Sequence, residues 1–289
     1  MVDRLFAVSI EGTIVSPQGK LLKSAKEAFE FVQQKGIQVT LITSRHHAFA
    51  RRIAKQCKIP TVSISHHGAF ISSASNKTIF AKRVPEDVTY DVVTFLDSFP
   101  CSVRCNQERF SVSNELPEQK QLMARAIFSP GDRFPYQHRF VNDLRAAIED
   151  EQLEPLHIDV VFEHPEDARD AEDALRSMFA DEIELTRSGD DCLYIVAAGV
   201  SKFASLHYVM EHNRFSRDEV VAMGANREDL DWMSLAHMRV AMGNSDVEVK
   251  QNAGWITRSV EEDGAAYMMQ EHFRKQQPIE FLKKMNFIE

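Results

Sequence analysis

The sequence predicts an α/β protein built on a parallel sheet, with a second segment of α+β character inserted into it. Three observations carry that prediction. Short apolar runs alternate with amphipathic helical patterns through the first 83 residues, the same rhythm returns from Leu193 onward, and the stretch between has a different texture. A βαβαβ series with short connections implies parallel strands joined by right-handed crossovers.

Leu5 to Ile10 is a continuous apolar run, too short for a helix and right for a buried parallel strand. Ser24-Ala25-Lys26-Glu27 has the form of a capping box, opening a helix with Phe29 and Val32 inward that Gly36 stops. Gln38 to Ile42 reads as the second strand, 46–57 as a helix and Thr61 to Ser65 as the third strand. Ala69–Ser72 and Thr78–Lys82 flank a Ser-Asn-Lys turn, which predicts a hairpin.

In the middle, Pro85-Glu86 starts a helix, and strands follow near 101–105 and 109–113. A polar stretch with Pro130-Gly131 and Pro135 leads to a helix near 139–150, then a strand at 156–162, a helix at 165–179 and a strand near 182–186. The α/β rhythm resumes with a strand at 193–197 and helix 201–212, then strand 219–223 and helix 229–236. A short strand at 238–241, helix 246–252 and strand 255–257 follow. This order predicts a core domain made of 1–83 and 191–289, and an inserted domain at 84–190.

A chain of 289 residues with 44% hydrophobic and 27% charged side chains is that of a soluble globular protein with room for two domains. A net charge of −9 and a pI near 5.7 argue against a nucleic-acid partner, because phosphate backbones are held by clustered Lys and Arg. A small anion remains compatible, since a local pocket can be positive inside an acidic protein. No apolar stretch approaches the roughly 20 residues that span a bilayer, and Met1-Val2-Asp3-Arg4 lacks a signal-peptide pattern. Cys57, Cys101, Cys105 and Cys192 have no metal-like spacing. Cys101 and Cys105 share a strand face and read as packed or reduced thiols, so the expectation is a cytoplasmic protein without a membrane partner.

Ligands of open parallel sheets bind outside the carboxyl ends of the strands. Those ends are Ser9-Ile10-Glu11-Gly12-Thr13, Thr43-Ser44-Arg45, Ser65 to Gly68 (running into His67-Gly68-Ala69) and Gly224-Ala225-Asn226-Arg227-Glu228-Asp229. The chain also has Gly199-Val200-Ser201-Lys202, then Ala241-Met242-Gly243-Asn244, Trp255-Ile256-Thr257 and Glu262-Asp263-Gly264. In order and spacing these segments resemble the Cof-type (class IIB cap) branch of the haloacid-dehalogenase-like hydrolases. The family forms are Asp-x-Asp-Gly-Thr, Thr-Gly-Arg, Asn-Gly-Ala, Gly-Val-Ser-Lys and Gly-Asp-x-x-Asn-Asp. The resemblance covers essentially the whole chain, the cap by position and not by motif.

The resemblance implies a Rossmann-like core with a large cap inserted after the third strand, and hydrolysis of small phosphorylated metabolites with magnesium. It places Ser9 in the nucleophile position and Glu11 in the acid–base position. Thr43, Ser44 and Lys202 fall where phosphate is bound, and Arg45, His67 and Asn244 around the substrate opening. Asp229 is the residual metal ligand.

The departures decide the functional expectation. A serine hydroxyl is a poor nucleophile without an adjacent base and cannot supply the carboxylate oxygen that coordinates magnesium. Glu11 keeps a carboxylate, one methylene longer than Asp. With Ala225 in place of another metal-ligating Asp, the site falls from four carboxylates to two, Glu11 and Asp229, so tight magnesium binding is not expected. Phosphate monoester hydrolysis is among the slowest uncatalysed reactions, and losing both nucleophile and metal ligand costs many orders of magnitude. Lys202 also loses its usual counter-charge at position 9, which predicts a more positive pocket able to hold phosphate without metal.

Each residue has a plainer reading as well. Thr43 can be a helix cap, Lys202 a solvated helix lysine and Asn244 a turn residue. Adjacent His66 and His67 on a strand point to opposite faces, one to the rim and one into packing, and His46-His47 start a helix in solvent. Three function classes stay open. The favoured one is a non-catalytic or very weakly active binder of a small phosphorylated metabolite or inorganic phosphate. The others are a magnesium-dependent phosphohydrolase acting on small phosphorylated metabolites through Glu11, and an interaction scaffold without ligand. Nothing in the sequence names a protein partner.

Overall fold

The computed structural model describes residues 2–16, 19–114 and 136–285. The polar stretch around Pro130-Gly131 and Pro135 lies outside the described residues. In chain order the first strands are β1 (Leu5–Ser9), β2 (Gln38–Ile42), β3 (Thr61–Ser65), β4 (Phe70–Ser72) and β5 (Thr78–Ala81). Next come β6 (Cys101–Asn106), β7 (Phe110–Asn114), β8 (Gln137–Val141), β9 (His157–Phe162), β10 (Ile183–Ser188) and β11 (Cys192–Ala197). The last are β12 (Val220–Gly224), β13 (Met238–Ala241) and β14 (Trp255–Ile256).

These strands form two sheets. The first has the order β14-β13-β12-β1-β2-β3-β4-β5, parallel from β14 to β3 and closed by the antiparallel β4–β5 hairpin. β1 and β12 lie side by side at its centre and every residue of both is buried, as strands covered by helices on both faces must be. Apolar clusters fill both faces, one around Phe6, Phe29 and Phe273, the other around Leu5, Leu206 and Trp232. The second sheet, β10-β11-β9-β6-β7-β8, packs its own core around Val92, Leu96, Ile158 and Leu175. An α/β core with an inserted α+β cap is therefore the architecture, as the sequence predicts.

Three local expectations are corrected. The strand expected at 193–197 in the first sheet is β11, which pairs antiparallel with β10 and β9 in the second sheet. A tight turn at Gly189 returns the chain beside β10, so the cap's sheet runs on to Ala197 and past the expected boundary at 190. The expected helix near 139–150 is instead strand β8 followed by helix Leu144–Glu151, separated by the Asp143 N-cap, whose carboxylate accepts from the Ala146 N–H. The Ser24–Glu27 capping box does not form. The helix starts at Lys23 with Leu22 at its N-cap, and the Ser24 hydroxyl donates to Asp263.

Topology brings the carboxyl ends of β1, β2, β3 and β12 to one rim. Gly68 lets the turn after β3 lie against the start of helix Lys202–His212: a Cβ there would come within 2.3 Å of the Ser201 carbonyl oxygen. Gly12 does the same between the β1 and β12 loops, where a Cβ would meet that of Ala225 at 2.9 Å.

Candidate functional site

A cavity of about 640 Å³ opens where the rim of the first sheet faces the second sheet. Ser9, Glu11, Ser44, Arg45, His67 and Lys202 line its core side, and Asn226 and Glu228 join them. β9 supplies His157, Asp159 and Val161 to the cap side, together with Arg104, Asn106 and Tyr194.

The rim is a chain of polar contacts. Ser9 is 2% exposed, and its Oγ has no hydrogen-bond partner among the described residues, so no base activates it. The Thr43 hydroxyl donates to Glu11 Oε1 at 2.6 Å and accepts from the Arg45 backbone N–H at 3.1 Å; fully buried and outside the cavity lining, it braces the loop from behind. The Arg45 guanidinium lies 3.6 Å from the same Glu11 oxygen. Burial pushes the Glu11 carboxyl above its ordinary pKa, against the opposing pull of Thr43 and Arg45.

Lys202 is not the unpaired cation the sequence suggests. Its Nζ sits 3.3 Å from Glu228 Oε2 and 3.7 Å from Asp229 Oδ1. Burial works against the ammonium, but Asp229, Glu228 and Glu11 outweigh it and hold the pKa above the ordinary lysine value. The expectation of a more positive pocket is corrected accordingly, because Glu228 restores the counter-charge missing at position 9. Glu228 lies within the quoted motif, at the family's Asn, and its change to a carboxylate is the signal that could have found it.

Asp229 is corrected too. It is fully buried, and its Oδ2 accepts the backbone N–H groups of Ala225 and Asn226, each at 3.0 Å. Its Oδ1 accepts from the Trp232 indole N–H at 3.1 Å. A carboxylate so engaged is a structural anchor and not an open metal ligand. The donor set at the magnesium position does not fit the ion: Ser9 and Ala225 bring no carboxylate, Glu11 is tied to Thr43, and the Lys202 ammonium stands among the remaining acids. Asn244 lies at the edge as a brace, donating to the Gly12 carbonyl at 3.0 Å and accepting from the Val260 N–H at 2.9 Å.

The histidines depart most from expectation. His66 and His67 form a turn, not a strand end; both take left-handed backbone with φ of 52° and 54°, and both are buried. Such residues store about 1–3 kcal/mol of strain each and persist where the surroundings over-determine them. His47 is buried as well, not solvated, and its backbone N–H donates to His66 Nε2 at 2.9 Å. The proton of a neutral His66 therefore sits on Nδ1, which faces His157 Nδ1 at 2.9 Å across the core–cap boundary. His157 Nε2 then carries its proton toward Asp159 Oδ1 at 3.1 Å. Asn106 donates to the other Asp159 oxygen at 3.0 Å.

This one-way chain bears on metal binding. His67, His157 and Asp159 have ligand atoms all within 4.8 Å of one another. A metal on His157 Nε2 needs the lone pair that the chain assigns to a proton, and Arg104 already opposes the Asp159 charge. His66, His157 and Asp159 form a hydrogen-bonded wall, against which the His67 ring packs. Burial raises the Asp159 pKa, but His157 and Arg104 together hold it down at about 2. Sequence reasoning missed this wall, although His157 and Asp159 two apart on one strand share a face.

Three comparisons with known proteins fit this geometry. The chain matches the family of haloacid dehalogenase-like hydrolases over residues 6–269. It is 37% identical over 286 residues, 99% of each chain, to a Bacillus subtilis protein named stress response protein YhaX. It is 23% identical over 276 residues to B. subtilis 5-amino-6-(5-phospho-D-ribitylamino)uracil phosphatase YitU, covering 93% of this chain and 97% of that one. A haloacid dehalogenase-like hydrolase from Bacteroides thetaiotaomicron superposes with a TM-score of 0.80 at 22% identity, covering 94% of this chain and 100% of that one. Motifs, sheet order and relatives agree, and the chain belongs to the Cof-type branch of the haloacid dehalogenase-like hydrolases.

Proposed function

We propose that this phosphatase-like protein binds a small phosphorylated metabolite at the rim of its parallel sheet and does not turn it over through an aspartyl-phosphate. The observation that carries this reading is the convergence of the Ser44 hydroxyl and the Lys202 ammonium on a single anionic oxygen, at 3.0 and 3.3 Å. Two donors at that spacing suit one oxygen of a phosphate, and Thr43 holds the loop that presents them. The unactivated Ser9 hydroxyl and the poor magnesium donor set support binding without transfer.

The test is an assay with magnesium against a panel of phosphomonoesters, comparing the parent with a Ser9→Asp/Ala225→Asp double variant of matching melting temperature. A silent parent and an active double variant are expected, and the best substrate of the variant then names the ligand class. Robust turnover by the parent overturns the reading. One observation favours a second reading, a weak phosphohydrolase: a carboxyl whose pKa is raised by burial, as Glu11's is, suits a general acid. That reading requires turnover by the parent that Glu11→Gln abolishes.

A further inference from the structure

We propose that Glu228 is a built-in occupant of the phosphate seat, which a ligand's phosphate fills only by displacing this carboxylate. The inference rests on the phosphate-binding reading above and adds the residue that sets its affinity threshold. One Glu228 oxygen takes the Ser44 hydroxyl and the Lys202 ammonium at once. These are the two side chains that a bound phosphate needs.

The backbone around Glu228 is pinned while its side chain is not. Arg227–Asp229 is a single 3-10 turn. Asn226 and Asp229 close that turn on each other in a capping box, and Asp229 is buried against Ala225 and Trp232. The Glu228 side chain is 21% exposed on the cavity wall, so it can swing toward solvent without moving the turn. The family motif has an uncharged Asn here, which cannot neutralise Lys202. This chain has lost carboxylates at 9 and 225 and gained one whose position is the seat itself.

The consequence is a threshold. A tethered carboxylate competes at an effective concentration of about millimolar or more. A seat that is open one time in ten weakens a ligand's apparent affinity about tenfold. Inorganic phosphate, with nothing to offer beyond the seat, binds poorly. A phosphate ester whose organic part also contacts the cap wall can displace Glu228. The carboxylate raises the threshold equally for both ligands, and only an ester, through its added contacts with the cap wall, passes it.

The experiment is a titration of the full chain with inorganic phosphate in chelator-containing buffer, followed by calorimetry and 31P NMR. It compares the parent, Glu228→Gln, Glu228→Asn and Lys202→Met, each checked for a parental melting temperature. Glu228→Gln and Glu228→Asn should bind phosphate about tenfold tighter than the parent or better, and Lys202→Met should not bind. Equal or weaker binding by both Glu228 variants, with measurable binding by the parent, overturns the displacement inference and leaves the phosphate-binding reading intact. No binding by the parent or either Glu228 variant, to phosphate or to any phosphomonoester of the panel, overturns both.

Discussion

On the core side of the cavity, full charges meet in pairs: Lys202 with Glu228 and Asp229, and Arg45 with Glu11. On the cap side, Asp159 is reached through His157 and His66, neutral rings whose hydrogen bonds run one way from the His47 backbone N–H. A charged pair can exchange one partner for another ion of the same sign, because Coulomb attraction has no direction. A chain of single-proton imidazoles cannot be reversed without leaving a buried donor or acceptor unsatisfied. The core rim is therefore suited to exchanging anions, and the wall linking core to cap is suited to holding one geometry.

The largest effect should come from the member of the core side that does not exchange. Asp229→Ala removes the acceptor of two backbone N–H groups and the Trp232 indole and leaves Lys202 short of a counter-charge. Loss of about 3–5 kcal/mol of unfolding free energy is expected in urea titration. A loss under about 1 kcal/mol would mean that Asp229 exchanges as freely as its neighbours, and the contrast within the rim would fail.

Next comes the link between core and cap. His66→Ala and His157→Ala should each destabilise by about 1–3 kcal/mol, since each orphans a buried partner. The double variant should show a coupling energy of about 0.5 kcal/mol or more in a mutant cycle. Additive losses would mean the two rings merely pack.

The smallest effect is a pH dependence. Burial holds the His66 and His67 pKa values well below the ordinary 6.5. The unfolded chain therefore takes up protons there before the folded chain does. Stability is fully present above the unfolded value and is lost as pH falls below it. Asp159, held at about 2 against an ordinary 3.8, adds a loss only below that second value. His67→Asn removes one titrating ring and keeps a residue that tolerates left-handed backbone. It should shrink the loss between about pH 7.5 and 5.5 by about 1 kcal/mol in chemical unfolding. An unchanged slope would place the acid sensitivity elsewhere.

Period and punctuation in the sequence were enough to predict the α/β core, the inserted α+β cap and the rim that carries Ser9, Glu11, Thr43 and Ser44, while only the family resemblance pointed to Lys202. Parallel strands buried on both faces read as unbroken apolar runs, and motif segments at strand ends sit where the sheet's own geometry brings them together. The partner of each charge was not readable. Glu228 and Asp229 are adjacent in the chain, yet one points into the cavity and the other is locked under Ala225 and Trp232, a difference set by a single 3-10 turn. β11 has the composition of a core strand but belongs to the cap, because strand pairing is a long-range choice that local pattern does not encode. The histidine wall joins positions 47, 66 and 157, and only tertiary packing brings His157 within 2.9 Å of His66. Local sequence determined which groups stand on the rim; the folded chain decided which are paired, which way their protons point and which remain free to be displaced.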